Sequence, residues 1–75
     1  MNSIALQPVQ SSHIKSLGFD PRTNTMAVQF REGGIYHYHA TPPQLYEEFL
    51  AAPSKGKFFR SAIKSRFRSA KVSNR

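Results

Sequence analysis

The chain has 75 residues, 39% of them apolar, no cysteine, and eleven Lys and Arg against four Asp and Glu, a formal charge of +7. A chain this short forms one domain that buries only about 60% of the surface its unfolded form exposes, which argues against a large catalytic cleft. Without cysteine there is no disulfide framework or thiolate zinc site, and no apolar run approaches the roughly 18 residues of a membrane span.

Residues 1–12 are polar with a proline and read as a flexible N-terminal arm; they lack the basic and long apolar regions of a secretion signal, so the expected location is cytoplasmic. Residues 13–19 read as a short strand with Leu17 and Phe19 on one face. Asp20-Pro21-Arg22-Thr23-Asn24-Thr25 is a turn in which Pro21 presets φ, and Asp20 and Asn24 can bond their own backbone. Residues 26–31 alternate, with Met26, Val28 and Phe30 on one face, and Glu32-Gly33-Gly34 supplies the positive φ of a hairpin. Residues 35–39 place Tyr36 and Tyr38 on one face and Ile35, His37 and His39 on the other. These segments predict a three-stranded antiparallel meander.

Thr41-Pro42-Pro43 opens a helix with Thr41 as its expected cap, and Glu47 and Glu48 are expected near the favourable end of its dipole. Leu45, Phe49 and Ala52 fall on its inner face, and Pro53 stops it. Ser54-Lys55-Gly56-Lys57 leads into a second helix, expected to run to residue 71. There Phe59, Ala62, Ile63, Phe67 and Ala70 form an apolar stripe opposite Lys57, Arg60, Lys64, Arg68 and Lys71. Arg66 falls close to the apolar stripe and fits the pattern poorly. Residues 72–75 read as a disordered tail. The expected architecture is therefore α+β: the meander followed by two C-terminal α-helices packed on one sheet face, with residues 13–71 as the domain.

The charge is concentrated at one end. Residues 1–53 carry three Lys and Arg against four acids, whereas residues 54–75 carry eight Lys and Arg and no acid. Such asymmetry points to a polyanion or an acidic protein surface as partner.

The run from Gly34 to Phe67 resembles the KTSC family, a small domain found fused after some lysyl-tRNA synthetases and free-standing in bacteria and phages. The resemblance is carried by Gly34-Ile35-Tyr36-His37-Tyr38, by Thr41-Pro42 with Leu45-Tyr46, by Ser54-Lys55-Gly56-Lys57-Phe58-Phe59, and by Ile63-Lys64 with Phe67. Upstream, Val9-Gln10-Ser11-Ser12 and Gly18-Phe19-Asp20 fit its opening strand. Thr41, where the family has an aliphatic residue, and Phe67, which lacks a hydroxyl, depart from the pattern. The resemblance implies no enzymatic activity and suggests RNA binding. Size and charge are also similar to those of small phage-encoded regulators that dock on bacterial RNA polymerase.

Several constellations remain open at this stage. Tyr36 and Tyr38 either pack beneath the helices or stack on unpaired bases. His37, His39 and His13 either share a metal or sit on an open sheet face, where they strengthen anion binding in acid; the expectation is no metal and no cofactor. Ser54-Lys55-Gly56-Lys57 is either a plain connection or an anion contact at a helix start. Catalysis lacks a supporting arrangement of nucleophile, base or paired carboxylates. The expected binding residues are Lys55, Lys57, Arg60, Lys64, Arg66, Arg68 and Lys71. The expected function is that of a non-enzymatic monomeric module in a bacterial or phage-infected cell. It is expected to regulate a transcription or translation machine, most concretely RNA polymerase, with direct RNA or single-stranded DNA binding as the alternative and no membrane partner.

Overall fold

The computed structural model describes residues 4–73 and places seven elements along them: β1 (Gln7–Pro8), β2 (Ile14–Asp20), β3 (Thr25–Phe30), β4 (Ile35–Tyr38), α1 (Pro43–Ala51), α2 (Lys55–Ala62) and β5 (Ser69–Ser73). The turn chemistry built into the sequence holds: Gly33 and Gly34 take φ of 115° and 98° between β3 and β4, and Asn24 takes 52° between β2 and β3. Asp20 accepts the Arg22 backbone N–H at 3.0 Å, an Asx-type lock on the first of these turns.

The fold is α+β, but its antiparallel sheet has five strands rather than three, in the order β1-β2-β3-β4-β5. Both additions come from segments that sequence reading left outside the sheet. Gln7 and Pro8 of the expected arm pair with Leu17 and Ser16, with proline tolerated because this is an edge strand. At the other edge, Ser69–Ser73 pairs with β4, opposite Tyr38, His37, Tyr36 and Ile35. Val72 and Ser73 of the expected tail are thus strand residues, while residues 74 and 75 of that tail lie outside the described residues, as do residues 1–3 of the arm.

The second helix accordingly ends at Ala62 rather than running to residue 71. A continued helix would set Arg60 against Lys64 and Lys64 against Arg68 at four-residue spacing with no acid to offset them. Ser61 also back-bonds to the Lys57 and Phe58 carbonyls, which weakens a helix interior. Meanwhile the open edge of β4 offers backbone partners that only a strand can satisfy. Arg66, the residue that fitted the helical stripe poorly, folds back and donates its Nε to the Ser61 carbonyl at 3.3 Å, closing the helix end.

Both helices lie on one face of the sheet. Ile14, Leu17, Met26, Val28 and Tyr38 meet Phe49 of α1, Phe59 of α2 and Ile63 beyond it in a single buried cluster. Aromatic contacts knit its layers: Phe59 sits edge-on to both Phe30 and Tyr38, and Phe49 stacks on Phe58. Of the expected inner stripe, Phe59 and Ile63 are buried, Ala62 and Phe67 are half-buried, and Ala70 is exposed on β5. The opposite sheet face is not bare. Gly18 and Ala27 are buried there, because residues 4 and 5 pass so close over Gly18 that a Cβ would collide with the Ala5 carbonyl oxygen.

The start of α1 also differs from expectation. Pro42 occupies the cap position and no side chain caps the helix; Thr41 is fully buried and gives both its N–H and its hydroxyl to the Asn24 carbonyl, at 2.8 and 3.0 Å. Glu47 and Glu48 lie beyond the first turn, which holds no acid. Among the described residues, no helix is long and apolar enough to cross a membrane.

Candidate functional site

With α2 ended at Ala62, the five-cation stripe dissolves as the face of one helix. Lys57 and Arg60 are on α2, Lys64 and Arg66 in the turn behind it, Arg68 just before β5 and Lys71 within β5. All six are exposed. Lys55 is the exception among the expected binding residues. It is half-buried and donates its Nζ to the Ala52 carbonyl at 3.1 Å, neutralising the C-terminal end of α1. That bond uses one of its three ammonium donors, and Lys55 still lines the hollow at the start of α2 with Lys57 and Arg60.

Four of these six exposed cations gather at two places, and Arg66 and Arg68 line neither. The first is the start of α2, where Ser54 is the cap and accepts the Lys57 N–H at 3.4 Å. Here Gly56 lies against His13, close enough that an added Cβ would stand 3.2 Å from its ring. Ser11, Ser12, His13, Ser54, Lys57 and Arg60 line a small hollow of about 280 Å³. The segments 9–12 and 54–59, far apart in the chain, therefore meet. Ser11 is occupied structurally: its hydroxyl accepts the His13 and Ile14 N–H groups, and its carbonyl accepts Arg31 Nε at 2.7 Å.

The second place is an open groove of about 650 Å³ between the β3–β4 hairpin, β5 and the turn behind α2. Tyr36, Tyr38 and Phe59 contribute to its wall, Lys64 and Lys71 carry its positive charge, and Glu32 stands at the hairpin end. The two tyrosines, equivalent by alternation, differ here. Tyr38 is 4% exposed and belongs to the core, with its hydroxyl held above the usual phenol range chiefly by burial, then by Tyr36, against a bond with Ser69. Tyr36 is only half-buried, standing edge-on to Phe30 with the Lys71 ammonium 6.0 Å from its ring centre.

The histidines do not converge. His37 and His39 line a hollow on the opposite sheet face with Asp20 and Arg22, whereas His13 lies beside Gly56. Among the described residues, no three His, Cys, Asp or Glu side chains come together in a way that can hold a metal ion. Burial, and secondly the charge of His39, hold His37 below the ordinary imidazole range, which disfavours its charged form.

Sequence reasoning located the cations and missed the groove, because the groove exists only once β5 pairs with β4. The signals available were the misfit of Arg66 and the like-charged four-residue spacings, both of which argue against a long helix.

The five-stranded sheet with two helices inserted between β4 and β5 has a counterpart among known proteins. The model of the KTSC domain matches residues 10–67. The chain belongs to the KTSC domain family. A crystal structure of a KTSC domain protein from Yersinia pestis is 41% identical and superposes with a TM-score of 0.91, covering 95% of this chain and all of that one. A protein of Tsukamurella paurometabola is 41% identical over 63 residues, 84% of this chain and 94% of its own length. This KTSC domain is also similar to part of the lysine–tRNA ligase of a Nostoc species, at 38% identity over 85% of this chain but only 11% of the ligase.

Proposed function

We propose that this KTSC domain is a non-enzymatic RNA-binding module that contacts phosphates through Lys57, Arg60, Lys64, Arg66, Arg68 and Lys71. The supporting observation is the character of its surface: six exposed cations follow one another from α2 to β5 with no acid among them, while Val72 is the exposed large apolar side chain of the described residues. Docking on a protein such as RNA polymerase draws its affinity from buried aromatic and apolar anchors with charge as the steering component. Phosphate binding needs only the charge. Similarity to part of a tRNA ligase supports the same direction, since a domain joined to such an enzyme is held close to RNA. The domain acts as a monomer in the cytoplasm of a bacterial or phage-infected cell.

The test is the affinity for a labelled single-stranded RNA as a function of salt. About six phosphate contacts give a slope of log K against log salt near −4, a loss of about 300-fold between 50 and 200 mM. Replacing Arg60 and Lys64 by Glu makes that slope shallower. Salt-insensitive RNA affinity, or capture of polymerase subunits that survives nuclease while RNA itself does not bind, overturns the reading in favour of protein docking.

A further inference from the structure

We infer that the groove between the β3–β4 hairpin, β5 and the turn behind α2 is a subsite for one unpaired nucleotide, with the base against the Tyr36 ring and the phosphate held between Lys64 and Lys71. This deepens the RNA-binding reading and rests on it for its biological ligand, but the geometry has its own logic. The groove's size, about 650 Å³, is in the range of small-molecule sites. It joins an aromatic surface to two ammonium groups, the pairing that recognises a base and its phosphate together.

Three features make Tyr36 the platform. The edge-on contact with Phe30, at 5.6 Å between centroids and 78° between planes, fixes the ring's orientation. Gly34 keeps the approach clear: a Cβ there would stand 3.2 Å from Tyr36 Cε1, and the φ of 98° already favours glycine at that position. Lys71 is the remaining cover, its stem resting over Gly34 and its ammonium near the ring. That side chain is long and exposed, so it swings aside for a base at small cost and brings its charge to the phosphate. Tyr38, by contrast, is buried beneath and serves as floor, so one base rather than two stacked bases fits the site. Glu32 at the rim disfavours a bare polyphosphate in the groove and can accept a hydrogen bond from an exocyclic amine, which adenine, cytosine and guanine carry and uracil lacks.

Two titrations of the full chain test this. In the first, adenosine monophosphate is followed by two-dimensional amide NMR, with shifts expected at Gly33, Gly34, Tyr36, Ser69 and Lys71. In the second, an eight-nucleotide single-stranded RNA and an RNA duplex are followed by anisotropy. Y36L is expected to weaken the octamer about 10-fold while Y36F stays close to the parent and duplex affinity is unchanged, in keeping with the effect of removing one base–aromatic stack. K71Q, on an exposed strand position, weakens both adenosine monophosphate and octamer and guards against reading a folding defect of Y36L as a binding effect. Octamer binding that Y36L leaves intact, or nucleotide shifts confined to other surfaces, overturns the subsite and leaves the RNA reading standing. Nucleotide shifts in the groove without octamer binding support the subsite and overturn the RNA reading; binding of neither ligand overturns both.

Discussion

His37 shows how one side chain's surroundings set a property of the domain. It lies opposite Ala27 on β3 and Ala70 on β5, on the sheet face away from the helices, in a hollow that Ile4, Asp20, Arg22, Thr23, Thr25 and His39 also line. Burial is the larger reason that its proton is held less tightly than in the unfolded chain, and the charge of His39 the smaller. The Asp20 carboxylate, the group in this hollow whose charge would favour imidazolium, is paired with the Arg22 guanidinium at 3.4 Å. The sign follows directly. As pH falls through the ordinary imidazole value the unfolded chain takes up the proton first, so stability present at neutral pH declines, and the decline ends below the depressed value of the folded state. Thermal unfolding is therefore expected at lower temperature at pH 5.5 than at pH 7.5, with a shallower dependence in His37→Gln. An unchanged pH dependence in that variant would show that His37 is not the group responsible.

At the scale of elements, α1 is held to the sheet by a buried hydrogen-bonded latch. Thr41 reaches across to the carbonyl of Asn24, whose left-handed backbone turns that oxygen toward the helix, and Ala40 accepts a left-handed φ of 59° to let it do so. Replacing Thr41 by Val keeps the shape and the N–H bond but removes the hydroxyl donor. The expected cost is about 1 kcal/mol, read as a fall of about 5 °C in Tm for a domain of this size. An unchanged Tm would mean that the hydroxyl contributes nothing net. This latch also marks the limit of what the sequence makes legible. Thr41 before two prolines has the local signature of a cap, whose hydroxyl accepts a helix N–H, and only the tertiary position of Asn24 makes that hydroxyl a donor instead. An element closed by its own chemistry, such as the Gly33-Gly34 hairpin, could be read locally, whereas residues 55–57, read as a connection, already belong to the Ser54-capped α2. β5 could not be read locally, since Ser69–Ser73 has little strand propensity and becomes a strand because β4 presents an unpaired edge. The same holds for the site: the cations are visible in the sequence, but their partition between the α2 hollow and the Tyr36 groove depends on where the helix stops.

Across the whole molecule, the thin core expected of 75 residues is supplemented by covering both sheet faces. The helices close one face. On the other, the N-terminal segment crosses β2 and, with the small side chain of Ala27 and the absent one of Gly18, lies close to the backbone. Gly18 takes its place in β2 directly beside Ala27, and both are buried. Here glycine answers to space rather than to φ: a side chain would strike the Ala5 carbonyl and the Ile4 side chain. Gly18→Val is therefore expected to lift residues 4–6 off the sheet, expose Ala27 and destabilise the domain by about 1–3 kcal/mol. Proteolysis should then cut within residues 4–12 more rapidly than in the parent. Deleting residues 1–6 tests whether the two effects are one. If Gly18→Val acts by displacing the segment, the deletion removes the obstacle, and the valine should cost much less in the shortened chain than in the full one. Equal costs in both backgrounds would place the strain within β2 itself and show that the segment contributes no closure of the second face.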